Sequence, residues 1–150
     1  MKKVIFTTAI MLTIGLASAS ANANDNVNDQ VTKSFHKDFA TAKEVKWQKE
    51  TNYIKATFTM YGQVMFAYYN ESGELIGVVR NILSDKLPIN LMSDLMKNYN
   101  DRWISDLFEM ASEGQSTYYV TLETADETLI LKSNGLTGWS VYKRTKKNNA

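Results

Sequence analysis

Ile54-Lys55-Ala56-Thr57-Phe58-Thr59-Met60 alternates apolar and polar residues with a period of two, the signature of a strand buried on one side. Tyr118-Tyr119-Val120-Thr121-Leu122 has the same pattern and overlays the first stretch at an offset of 64 residues. Further on, Tyr69 and the following Ser72-Gly73 overlay Leu131 and Asn134-Gly135 at an offset of 62, as if a hairpin loop had lost two residues. These two anchors decide the fold reading, an internal repeat in which a helix is followed by strands.

Working outward, Val27, Val31, Phe35 and Phe39 recur every four residues between Lys33, Lys37 and Asp38, the stripe of an amphipathic helix that Asn26 or Asn28 would cap. Val45 and Trp47 begin the first strand, Tyr61-Gly62 and Asn70-Glu71-Ser72-Gly73 read as turns, and Gln63 to Tyr69 and Glu74 to Arg80 as strands. Pro88 opens a second helical stripe of Leu91, Leu95 and Tyr99 with Met92 and Met96 beside it. Four strand candidates follow, Trp103 to Met110, Ser116 to Thr124, Glu127 to Lys132 and Gly138 to Arg144. The expected fold class is α+β, with two tandem helix-then-strands repeats, about 27–82 and 84–144, forming one antiparallel sheet with both helices packed on one face.

Met1 to Ala23 reads as a secretory signal peptide. Lys2 and Lys3 precede a short apolar run, and small residues offer cleavage after Ala21 or Ala23. Residues 24–150 then form a single exported domain, periplasmic or secreted, with no membrane insertion after the signal is removed. Losing two lysines turns the formal charge of +1 into −1, which gives no general field for nucleic acid. Lys143-Arg144-Thr145-Lys146-Lys147 is expected to be a frayed, solubilising end. The chain contains no cysteine, so stability must come from burial, and thiol chemistry and a lipidated cysteine are excluded.

The leader, the aromatic helix followed by Val45-Lys46-Trp47, Ala56-x-Phe58, Tyr69-Asn70-Glu71-Ser72-Gly73-Glu74-Leu75, Leu87-Pro88 and Tyr118-x-Val120-x-Leu122 together resemble the exported PepSY-like, beta-lactamase-inhibitor-like domain family. The resemblance covers essentially the whole chain after the leader. It implies a tandem α/β repeat and a sheet face that grips a protein, as in the inhibitor for which the family is named. It brings no catalytic motif and no cofactor. The family pattern often has a longer first half and Phe-Pro after the first helix, where this chain reads Phe39-Ala40.

The chemistry sought in the residues is sparse, and no enzyme activity is expected. His36 is the only histidine, and no G-x-S-x-G elbow accompanies it. Ser34-x-x-Lys37 and Ser140-x-x-Lys143 fit a penicillin-binding-protein nucleophile pattern without its companion motifs. One histidine and no cysteine do not make a zinc site, and Asn70 to Glu74 lacks the spacing of a calcium loop. Glu109, Glu113 and Glu123 remain as carboxylates that spacing alone does not keep apart.

With Tyr69 turned inward by its match to Leu131, Met65 and Ala67 also face the helices. That leaves Val64, Phe66 and Tyr68 on the open face of the sheet, joined by Tyr119 and Ile130. Phe66, Tyr68, Tyr119 and Ile130 are therefore the candidate partner-binding residues, because aromatics where a sheet should be polar mark an interface. Trp139 fits either this face or the core at the last strand. The expected function is an exported soluble module that binds an unknown protein or peptide. The alternative is an envelope sensor or carrier of a small apolar ligand held between sheet and helices beside Met92 and Met96.

Overall fold

A computed structural model describes residues 26–148; the signal-peptide reading falls outside the described residues. The elements are α1 (Asp29–Asp38), β1 (Lys43–Lys49), β2 (Ile54–Met60), β3 (Gln63–Tyr69), β4 (Leu75–Asn81), a short 3-10 turn (Ser84–Lys86), α2 (Ile89–Asn98), β5 (Trp103–Ser112), β6 (Gln115–Glu123), β7 (Glu127–Ser133) and β8 (Ser140–Lys146). All eight strands pair antiparallel in a single sheet ordered β1 to β8 as in the chain.

The α+β class stands, but the expected assembly does not. Two repeats with both helices packed on one face give way to one uninterrupted meander of eight strands with two helices over separate cores. The seam shows why. Val78 to Asn81 pair with Ala111 to Phe108, and the Ile82 N–H donates to the Leu107 carbonyl at 3.0 Å. β4 and β5 are thus ordinary ladder neighbours, and α2 is an excursion between two paired strands rather than the start of a second closed unit.

Each helix is fixed by its sequence. The Asn28 side chain accepts from the Val31 N–H at 2.9 Å, an N-cap on one of the orphan amides of α1. Val31 and Phe35 are then buried against Ile54, Ala56, Phe58, Ala67 and Tyr69, with Trp47 and Met65 at the edge. Phe35 meets Phe39, Trp47 and Phe58 at ring separations of 5.3, 5.1 and 5.1 Å. Under α2 the core is aliphatic instead. Leu91 and Leu95 pack with Leu107, Val120, Leu122, Leu129 and Leu131.

Loops clamp both helices onto the sheet. In the β3–β4 turn the Asn70 side chain accepts from the Glu74 N–H at 2.9 Å, and Gly73 has a left-handed φ of 81°. A Cβ there would come within 3.0 Å of the Gln30 carbonyl oxygen and the Ser34 hydroxyl on α1, so glycine allows the close approach. At α2 the Trp139 indole N–H donates to the Leu91 carbonyl at 3.0 Å, which places that tryptophan in the core. The basic C-terminal stretch is not a frayed end. Lys143 to Lys146 lie in β8, Arg144 bonds Glu127 at 3.0 Å, and Lys147 pairs with Glu123 at 2.8 Å.

Candidate partner-binding face

β3 turns Met65, Ala67 and Tyr69 toward α1, so strand alternation sends Phe66 and Tyr68 to the other side. The ladder carries that side across the sheet. Phe66 stands opposite Val79, Val79 opposite Met110, Phe108 opposite Tyr119, and Thr121 opposite Ile130. These side chains form a third apolar cluster, with Tyr68, Val79, Phe108 and Tyr119 buried and Tyr53, Phe66, Ile76, Met110 and Ile130 packed round them. No residue of α1 or α2 belongs to it. All four sequence-predicted residues, Phe66, Tyr68, Tyr119 and Ile130, are therefore brought together.

They are not equally available. Tyr68 and Tyr119 are only 4% and 8% exposed, less than an open face was expected to leave them, whereas Phe66 and Ile130 are half-buried and the neighbouring Val64 is 51% exposed. The rings bury one another. Phe108 stacks on Tyr119 with centroids 4.9 Å apart, Tyr142 meets Tyr119 edge-on at 5.5 Å, and Tyr53 leans on Tyr68 at 5.4 Å. Burial pushes the Tyr68 hydroxyl up to about 12, with Tyr53 adding to it, so the ring stays neutral.

Charges rim the cluster. The Lys55 ammonium lies 4.7 Å from the centre of the Phe66 ring, and the Lys132 ammonium 5.6 Å from Tyr119 and 6.0 Å from Tyr142. Desolvation lowers the pKa of Lys55, opposed by the negative charge of Glu50. Asp106, opposite Thr121 on the same side, has its pKa raised by burial, opposed by a hydrogen bond from the Leu107 backbone.

Reading the sequence alone missed Tyr53, Val79, Phe108, Met110 and Tyr142. The alternation from Phe108 to Met110 carried a signal for β5. None announced Tyr142, because a register shift between Ile130 and Leu131 alters the parity of β8.

The catalytic candidates do not converge. His36 points to solvent, and Ser140 is exposed on the outer strand. Glu109 stands opposite Tyr118 and Glu123 opposite Thr128, positions of opposite parity on β6, so these carboxylates lie on opposite sides of the sheet. Glu109 bonds Arg80 at 2.7 Å and Ser116 at 2.6 Å. No group of histidine, aspartate and glutamate suited to a metal ion occurs among the described residues. At the alternative site beside α2, Met92 packs on the leucine core and Met96 is 66% exposed. A cleft of about 230 Å³ opens elsewhere, between Leu75–Val78 and Ala111–Gly114. No helix among the described residues is long and apolar enough to cross a membrane.

No protein-family model matches the chain, and neither does any curated protein. Solved structures do. A DUF2874 family protein from Bacteroides ovatus superposes with a TM-score of 0.71 at 16% identity, covering 81% of this chain and 89% of the other. A Bacteroides eggerthii protein described as periplasmic gives 0.71 at 16% identity, covering 83% and 91%. A BLIP-like protein from Bacteroides fragilis gives 0.67 at 16%, covering 82% and 88%. At this identity the likeness is one of fold. It agrees with the inhibitor-like side of the resemblance and gives no support to the PepSY-like side.

Proposed function

We propose that the chain is an exported module, residues 24–150 after removal of a signal peptide, that binds a protein or peptide through the sheet face built round Phe66, Tyr68, Tyr119 and Ile130. One observation carries this reading. Nine apolar side chains from β3 to β7 and the β1–β2 loop gather in a cluster to which neither helix contributes, and the outer ones keep part of their surface in water. Buried Tyr68 and Tyr119 give a rigid floor, while Phe66, Ile130 and Val64 are the contact layer. Recognition needs no cofactor and no reaction. The BLIP-like and periplasmic descriptions of the structural neighbours support a binding role and an envelope or secreted location.

The test compares the wild-type protein with a Phe66→Ser, Ile130→Ser variant as baits for an envelope extract of the source cell. A protein retained by the wild type and lost with a variant whose unfolding free energy in urea stays within about 2 kcal/mol of the wild type supports the face. Equal retention by both, or none by either, overturns it.

A further inference from the structure

Resting on that reading, we infer that the partner presents an apolar centre flanked on two sides by carboxylates, because the aromatic face ends at both extremities in lysine side chains laid over its rings. On the β2 side Lys55 stands opposite Tyr68 and covers Phe66 at 4.7 Å. Across the sheet Lys132 stands opposite Tyr119 and reaches both Tyr119 and Tyr142. Lys143, opposite Ile130, extends the second group. None of these three ammonium groups enters an ion pair among the described residues, whereas Glu109, Glu123 and Glu127 are each taken by an arginine or lysine.

The asymmetry has a direct chemical consequence. A ring under an ammonium holds its position without using up its three N–H groups, so each lysine keeps donors for an incoming carboxylate. Docking an apolar segment between them excludes water and strengthens both contacts. A lysine-rich segment would instead meet two like charges at the rim. The negative groups nearby do not reverse this. Asp106 shares a row with Lys143, two strands away across Thr121 and Ile130, but not with Lys132 or Lys55, and Glu50 only partly opposes the desolvation of Lys55. Nucleic acid, which also combines negative charge with flat apolar groups, is disfavoured because its affinity rests on many phosphate contacts and the formal charge is only +1 for the whole chain and −1 without Lys2 and Lys3.

The experiment uses the purified protein and four fluorescent probes: a short peptide with an aromatic-aliphatic centre between aspartates, the same centre between lysines, the aspartate peptide with a glycine-serine centre, and a short oligothymidylate. The aspartate peptide with the apolar centre is expected to bind at least about tenfold tighter than the other three at low salt, the preference shrinking as salt rises. A Lys55→Glu, Lys132→Glu variant should reverse the order of the two apolar-centred peptides. Lys132→Gln, at an exposed position, makes the same comparison should the double change disturb folding. Equal binding of both apolar-centred peptides, abolished by Phe66→Ser, overturns the acidic preference while the face stands. Oligothymidylate or the glycine-serine peptide binding as tightly overturns the apolar-acidic partner. Insensitivity of every probe to Phe66→Ser, or no binding at all, overturns the binding face itself.

Discussion

The two sides of β3 carry equally apolar side chains and put them to different ends. Toward α1, Met65, Ala67 and Tyr69 meet Phe35 and Phe58 and are closed over by the helix. On the reverse, Phe66 and Tyr68 meet only other sheet and loop side chains, and the outermost keep part of their surface in water. A side chain covered by another element loses nearly all of its apolar surface to the core, so its removal leaves a cavity. One covered only by its neighbours on the same sheet leaves a dent that solvent can fill.

The largest effect expected from this contrast is at Phe35. Phe35→Ala removes a fully buried ring with five ring partners at 5.1 to 6.4 Å on the sheet side and along the helix, His36, Phe39, Trp47, Phe58 and Tyr69, and should cost about 3–5 kcal/mol in urea denaturation. Phe66→Ser should cost less, about 1–2 kcal/mol, since its ring is only partly buried before the change. Equal losses at the two positions would make the third cluster a structural core and break the comparison.

How far this contrast could be read from the residues alone depends on what periodicity encodes. Period-two stretches located the strands of the meander, and the spacing of Phe35 and Leu91 located the helices, because alternation and the 3.6-residue repeat are local. Which side Phe66 occupies was equally legible once Tyr69 was placed inward. The depth of Tyr68 and Tyr119 was not. It comes from Tyr53, Phe108 and Tyr142 leaning over them, contacts between residues distant in the chain and, for Tyr142, dependent on an irregular register. The uninterrupted β4–β5 seam was likewise invisible, since a pairing across an inserted helix leaves no local pattern.

Acid should act next, and on the second half of the sheet more than on the first. The Arg102 hydrogen bond, with further contributions from Arg144, outweighs burial and holds the Glu127 carboxyl below its ordinary range. At Glu109 and Glu123 burial raises the pKa, but hydrogen bonds from Ser116 and Arg80, and from Lys147 and Thr128, bring the net shift downward. A lowered folded-state pKa contributes stability that is present above the unfolded value, about 4.3, and is lost as pH falls through the folded value. The urea midpoint should therefore drop below about pH 4, and Glu127→Gln should flatten part of that slope while lowering stability at neutral pH. Glu127 ties Arg102, after α2, to Arg144 in β8, so amide protection in β8 should fall before that in β2. Simultaneous loss in both strands would show that the sheet responds as one unit.

The smallest effect expected is a gain, and it isolates the two sides of β3 from their turn. Tyr61 and Gly62 join β2 to β3 with φ of 53° and 75°, both left-handed, as a two-residue hairpin loop requires. Gly62 adopts this freely, whereas Tyr61 is strained there and, at 90% exposure, recovers little by packing. Asparagine tolerates that region, so Tyr61→Asn should stabilise the protein by about 0.5–1 kcal/mol, read as a higher urea midpoint with an unchanged slope. Tyr61 lies outside both clusters that flank β3. Combined with Phe66→Ser, its gain should therefore add to the small loss within about 0.5 kcal/mol. A larger deviation would mean that the turn sets the register on which Phe66 depends, and that the face is held by its hairpin rather than by its rings.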